Sequence, residues 1–239
     1  MKALVTGASG FAGAHLVHHL LESGDDVSAL DRPDHPSERL ASVRDRVTFF
    51  SSDICDADAV ADALRAASPE AVYHLAGIAF VPTGADAPGR VMDVNLRGTV
   101  NVLEALRRHA PAARFVFASS GEVYGPLDDA SLPATEVLPP RPKTIYALSK
   151  EFGERVIENY RREHGIDAVV LRLFNHIGPG QDEHFALPRS PRKSRRSKRG
   201  APSLVCGSGT SMRVGILRTC ATWRVPIASP EQRRAHPAR

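Results

Sequence analysis

Cysteine is scarce in this chain: three residues in 239, Cys55, Cys206 and Cys220, without regular spacing. That supply excludes a disulfide framework and a zinc knuckle, and it makes a reducing compartment the default. Ten histidines are scattered without ligand spacing, so no metal is expected. No apolar window approaches the length of a membrane span. The opening run, Lys2-Ala3-Leu4-Val5-Thr6-Gly7, is too short for a signal sequence and passes straight into glycines. The expectation is a soluble, cytoplasmic protein, and 42% hydrophobic residues suffice for one domain with a real core.

Acid is nearly missing from the last part of the chain. Residues 184–239 hold 13 Lys or Arg against a single acid, Glu231, whereas the preceding residues hold 18 basic against 26 acidic and sum to −8. A switch this abrupt after Glu183 reads as two sequences joined together, so residues 1–183 and 184–239 are expected to be separate units. The second unit packs seven basic residues into Arg189 to Arg199, keeps no sustained helical or alternating pattern, and has an isolated Trp223. On composition it reads as a disordered basic tail, with nucleic-acid binding as its functional alternative.

The first unit is periodic. Apolar runs suited to buried strands lie at residues 2–6, Val27 to Asp31, Val47 to Ser51, Ala71 to Ala76, Arg114 to Ser119 and Ala168 to Phe174. Helical spacing follows the first glycines through Leu16, Leu20 and Leu21, and returns at Ala57 to Ala67, Val91 to His109 and about Ile145 to His164. Strands alternating with helices predict an α/β, Rossmann-type doubly wound parallel sheet.

Gly7-x-x-Gly10-x-x-Gly13 falls between the first strand and the first helix. Missing side chains there let the backbone turn tightly and approach a pyrophosphate held at the helix N-terminus, which makes Gly7, Gly10, Phe11, Ala12 and Gly13 candidate cofactor contacts. Asp31 closes the second strand, where a carboxylate can accept both hydroxyls of an adenosine ribose, as in NAD sites. Arg32 beside it could pair with the 2′-phosphate of NADP, stack on adenine, or be a solvated loop charge, so NAD and NADP both stay open. Asp53 follows the third strand, where it could reach the adenine amino group or cap a helix.

Tyr146 and Lys150 are four apart on a helix and therefore share a face, where a cation favours phenolate and tunes the phenol for acid–base work. Ser119-Ser120-Gly121-Glu122-Val123-Tyr124-Gly125 ends the fifth strand, at the carboxyl edge where ligands bind parallel sheets. A serine hydroxyl there can hold the oxygen that the tyrosine protonates.

Together with Asp53-Ile54, His74-Leu75-Ala76-Gly77 and Asn95, these motifs resemble the extended short-chain dehydrogenase/reductases that act on nucleotide sugars, over residues 1 to about 187. Within that family, Leu171-Arg172-Leu173-Phe174-Asn175-His176-Ile177-Gly178-Pro179-Gly180-Gln181 looks most like the GDP-6-deoxy-D-mannose reductases. The resemblance implies an NAD(P)-dependent enzyme that reduces the 4-keto group of GDP-4-keto-6-deoxy-D-mannose to GDP-D-rhamnose. Tyr146 would give the proton and Ser120 would orient the oxygen. Lys150 would lower the tyrosine pKa and bind the nicotinamide ribose, and Asn175 would lie beside the sugar or its diphosphate. Ile54, Leu75 and Ala76 match the family's cofactor-lining motifs, His74 is expected to pack or hydrogen-bond beneath the cofactor, and Asn95 reads as a structural hydrogen-bonder. Glu122 occupies the place where related dehydratases keep a base, so a GDP-mannose 4,6-dehydratase stays open, as does a UDP-sugar 4-epimerase. Partners implied are a nucleotide-sugar substrate and a family-typical homodimer, with no nucleic acid and no membrane.

The family needs a further region after Gln181 to hold the substrate nucleotide, and residues 184–239 do not supply it, so that region is expected to be missing or replaced. Read in a shifted frame, Ser211 through Pro226 can encode a family-like segment rich in arginine and aspartate, and Lys193 through Ala201 an amphipathic helix. We therefore expect a frameshift near Pro188, and a catalytically inactive fragment that only binds NAD(P) is a further reading of the chain. Sequencing independently prepared DNA from the Gly180 codon to the stop tests the origin of the shift. A base miscalled near Pro188 would restore a full-length reductase candidate, and the same frame would make the shift a property of the gene.

Overall fold

The computed structural model describes residues 1–34, 38–79, 87–176 and 178–181. The expected boundary at 183, the basic segment 184–239 and its suspected frameshift lie outside the described residues. Six parallel strands form one sheet in the order β3-β2-β1-β4-β5-β6. They are β1 (Lys2–Thr6), β2 (Asp26–Asp31), β3 (Val47–Ser51), β4 (Ala71–His74), β5 (Arg114–Ser120) and β6 (Ala168–Leu173). The strand order reverses between β2-β1 and β1-β4, which opens a crevice at the carboxyl edge of the sheet.

Burial on both faces explains why the strands read as continuous apolar runs rather than alternating ones. Leu4, Val72, Phe115 and Phe117 face α2 (Ala57–Ala67), α4 (Gly98–His109) and α5 (Ile145–His164) in one core. Ala3, Val5, Tyr73 and Val116 face the other way, toward α1 (Phe11–Glu22) and Leu40 of a 3-10 segment, Glu38–Arg46. β6 is mostly half-buried. Its Val170 joins the first core and its Leu171 and Leu173 the second.

Helix ends follow local chemistry. Thr144 caps α5 by accepting the Ala147 N–H at 3.0 Å, and Gly165 at φ 68° ends it. α2 is capped by Asp56, which accepts from Ala59 N–H at 3.1 Å. The helix expected from Val91 to His109 begins earlier, because Pro88 supplies a first helical turn that needs no N–H. It runs as α3 (Pro88–Met92) through a π-helical turn, Asp93–Arg97, into α4. Periodicity alone gave no sign of that turn, which inserts one residue into the helical repeat and places the buried Asn95 within it.

Two glycines in the first turn are required by contact. A Cβ on Gly7, which sits at φ 69°, would lie 2.7 Å from Ala76 N, and one on Gly13 would lie 2.1 Å from the Gly7 carbonyl. Gly24, at φ 80°, has nothing within 4 Å of the same position. Gly13→Ala must therefore displace backbone, while Gly24→Ala adds only left-handed strain. Urea denaturation should show a loss of about 3 kcal/mol for Gly13→Ala against about 1 kcal/mol for Gly24→Ala; equal losses would contradict the packing described.

Candidate active site

The first βα turn is a cradle made of backbone. Gly10 is the N-cap of α1 and brings no side chain to the turn, so the N–H groups of the first helical turn are available to a ligand in the crevice. Gly10 N–H closes the turn onto the Gly7 carbonyl at 3.1 Å, and Ala12 and Gly13 continue into the helix. Leu75 and Ala76 press their backbone against Gly7, so these two sequence-predicted positions do meet the glycine turn. Asp31 accepts the Ser9 N–H at 2.5 Å, which fixes its carboxylate between the end of β2 and the cradle. Arg32 leans on Asp34 at 3.6 Å, a half-exposed pair of small energetic weight. These residues fit a dinucleotide: a glycine-capped helix N-terminus for the pyrophosphate and a carboxylate at the ribose end.

Other predicted residues sit differently. Asp53 accepts from Cys55 N–H at 2.9 Å in a local turn, so it is not the cap of α2; Asp56, three residues on, has that role. Ile54 puts its side chain into the core beneath Gly98, where a Cβ would come within 2.7 Å of it. Phe11 stacks on His176 with ring centroids 5.8 Å apart. Asn175 is exposed in the loop beyond β6, next to Phe174, whose ring covers Gly121.

The sheet edge and α5 bring the remaining predicted residues together. The Ser120 hydroxyl accepts the Glu122 N–H at 3.2 Å and acts on the Tyr146 phenol, favouring its ionisation. Lys150, one helical turn beyond Tyr146, is buried; its ammonium donates to the Ala118 carbonyl at 2.8 Å and stands 4.8 Å over the Phe117 ring. Burial lowers the ammonium to about 8, against the charge of Glu154, which raises it. The phenol departs from expectation: it lies above its ordinary value because burial and then the Glu122 carboxylate oppose ionisation, with the Ser120 hydroxyl acting the other way. Lys150 aims its ammonium at the β5 backbone, and desolvation decides the direction of the phenol's shift.

Beneath this site runs a buried hydrogen-bonded chain that links four elements. Ala76 N–H donates to Thr6 Oγ1 at 3.2 Å, and Thr6 Oγ1 meets His74 Nδ1 at 2.7 Å. His74 Nε2 meets Thr99 Oγ1 at 3.0 Å, and Thr99 donates to the Asn95 carbonyl at 2.6 Å. The Asn95 side chain then exchanges bonds with Ile78 N–H and C=O, at 2.7 and 3.1 Å, and donates to Ser149 Oγ at 2.9 Å. Ser149 in turn donates to the Tyr146 carbonyl at 2.7 Å. The Thr99 proton is committed to a carbonyl, so His74 Nε2 carries a proton and donates, and Nδ1 accepts from Thr6. His74 and Asn95 thus hold the structural positions expected of them. Of the links, Ser149 and Thr99 went unread in the sequence, where a lone hydroxyl on a helix carries no distinctive signal.

The sequence profile of the NAD dependent epimerase/dehydratase family matches residues 3–214. The chain belongs to that family. It is similar to the GDP-6-deoxy-D-mannose reductase of Pseudomonas aeruginosa, 36% identical over 199 residues that cover 83% of this chain and 60% of that protein. The dTDP-glucose 4,6-dehydratase of Streptomyces antibioticus is 37% identical, over 79% of this chain and 57% of that one. Among solved structures, the NAD complex of Thermus thermophilus UDP-glucose 4-epimerase superposes with a TM-score of 0.72 and 39% identity, covering 77% of this chain and 58% of that one. The chain therefore spans a little under two thirds of the length of these relatives. Among the described residues no helix is long and apolar enough to cross a membrane, and no His, Cys, Asp and Glu group could hold a metal.

His74 gives this family member a specific acid sensitivity. Burial and the neighbouring Lys150 lower its imidazole from 6.5 to about 3. Between those values the unfolded chain takes up a proton that the native state refuses, so stability is fully present above pH ~6.5 and falls as pH drops toward ~3. His74→Gln should be less stable than wild type at pH 7, and the gap should narrow by about 2 kcal/mol at pH 4.5 in urea denaturation. A gap independent of pH would show that the imidazole is not held neutral.

Proposed function

We propose that this site is that of a nucleotide-sugar oxidoreductase which reduces the 4-keto group of GDP-4-keto-6-deoxy-D-mannose to GDP-D-rhamnose. The observation that carries the reading is the convergence of Ser120, at the carboxyl end of β5, with Tyr146 and Lys150, one turn apart on α5, where the Ser120 hydroxyl acts on the Tyr146 phenol. The cofactor, when bound, supplies the hydride that reduces the carbonyl carbon. Gly7, Gly10, Phe11, Ala12 and Gly13 would hold its pyrophosphate, Asp31 its adenosine ribose, and Asp53 with Leu75 and Ala76 the adjoining surface. The Asp31 carboxylate supports NADH over NADPH, because a 2′-phosphate would meet a like charge there.

Tyr146 gives its proton to the substrate oxygen. A phenol held above its ordinary value is protonated at neutral pH, which suits an acid in the reductive direction. Ser120 holds the same oxygen through its hydroxyl. Lys150, mostly ammonium at pH 7, would stabilise the phenolate left after transfer and would hold the cofactor ribose; its nitrogen lies 3.5 Å from where a Cβ on Gly77 would stand. Asn175 contacts the sugar or its diphosphate. Similarity to the GDP-6-deoxy-D-mannose reductase of Pseudomonas aeruginosa supports the GDP-linked substrate.

A second reading has its own observation. The Glu122 carboxylate, two residues beyond Ser120, acts through its charge on the Tyr146 phenol, and a carboxylate at this edge is the base that removal of a proton next to a ketone in a 4,6-dehydratase would need. A 4-epimerase would use the same tyrosine without that base. A chain that binds the dinucleotide and turns nothing over is the remaining alternative, and a homodimer through α3, α4 and α5 is the assembly the family resemblance suggests.

Loss of reduced-nicotinamide absorbance on mixing the purified chain with NADH and GDP-4-keto-6-deoxymannose tests the reading. Turnover is expected, with a fall of at least ~100-fold for Tyr146→Phe and little change for Glu122→Gln. Cofactor binding without turnover would overturn it, and formation of the keto sugar from GDP-mannose, abolished by Glu122→Gln, would establish the dehydratase.

A further inference from the structure

Glu154 lies one turn beyond Lys150 on α5, with its side chain only 11% exposed. It accepts four hydrogen bonds: from Arg172 Nε at 3.1 Å to each carboxylate oxygen, from Arg172 Nη2 at 2.7 Å, and a short one from the Ser119 hydroxyl. Arg172 is equally committed. Its Nη1 donates to the Tyr124 hydroxyl at 2.9 Å and the Glu136 carbonyl at 3.3 Å, and its guanidinium covers the Tyr124 ring at 4.9 Å. A bidentate pair of this kind is more than a surface contact, since neither charge is free to return to water.

The placement matters because Ser119 and Tyr124 bracket the segment that carries Ser120 and Glu122. The pair therefore grips both ends of that segment from α5 and β6. It also brings a fixed negative charge to the helix that presents Lys150. The groups acting on the Lys150 ammonium are the Ala118 carbonyl and Phe117 ring from β5, His74 from β4, and Glu154 on its own helix. Glu122 acts on Tyr146.

We propose that Glu154, clamped by Arg172 and Ser119, is a positioning residue that keeps Lys150 charged and holds the Ser120 segment in register with Tyr146. Its importance for turnover rests on the oxidoreductase reading above; its effect on Lys150 does not. Desolvation favours the neutral amine, and Glu154 is the carboxylate that opposes it. Arg172 orients that carboxylate and partly cancels it, so removing either partner should move Lys150 in opposite directions.

The test is a titration of the full chain labelled with 13C at the lysine ε carbon, with Lys150→Arg to assign the signal. Wild-type Lys150 should titrate at about 8. Glu154→Gln should move it about one pH unit lower, Arg172→Met should move it upward, and Glu154→Asp should bring it back close to wild type. A purely structural pair would leave Lys150 unmoved or shift it the same way in both variants, and either result overturns the proposal. If Glu154→Gln does not fold, the upward shift in Arg172→Met decides alone. A wild-type chain without turnover would sink the oxidoreductase reading and leave this titration intact; normal turnover with an unmoved Lys150 would do the reverse.

Discussion

Everything at the carboxyl edge depends on a polar chain buried in an apolar core. Thr6, His74, Thr99, Asn95 and Ser149 bond in series from the end of β1 to the first turn of α5. Each is buried, so each unmade bond would cost the desolvation of a polar group, and the chain is stable only when complete. Completeness forces a single arrangement. The glycine turn, the β4 end and the helix carrying Tyr146 and Lys150 are therefore held in one register, with no large part for loops.

That arrangement also explains the electrostatics. His74 stacks near Phe115 and Phe117 and stays neutral, because an imidazolium there would be desolvated beside Lys150. Lys150 keeps a charge at comparable depth through a carbonyl, an aromatic face and a carboxylate one turn away. The low-dielectric surroundings that raise the Tyr146 phenol are the same surroundings that make these few contacts strong.

Much of this was legible in the residues. The bounds of β3, α2 and α5 agree with the hydrophobic period, because each is a full-length element with its breakers or caps beside it. The glycine turn and the Tyr146–Lys150 pair were readable from their spacing within the strand–helix alternation, whereas Ser120, rather than Ser119, came from the family resemblance. What spacing does not carry is pairing between distant elements. The Glu154–Arg172 clamp joins α5 to β6, and Arg39, whose guanidinium ties the Gly180 carbonyl to that of Ser9, comes from an irregular segment with no pattern to mark it. Asp53 and Asp56 illustrate the limit at short range: both could cap α2, and only backbone geometry selects Asp56.

The central claim is that the dinucleotide cradle and the Tyr146 helix form one unit through the buried chain. Calorimetric titration of NADH into the 239-residue chain and into Thr99→Val tests it most directly. Valine keeps the volume and removes the hydroxyl that joins His74 to Asn95. The account predicts one NADH per wild-type chain and about tenfold weaker binding in the variant, equivalent to ~1.4 kcal/mol. Equal binding by both, or no binding by the wild type, would contradict it.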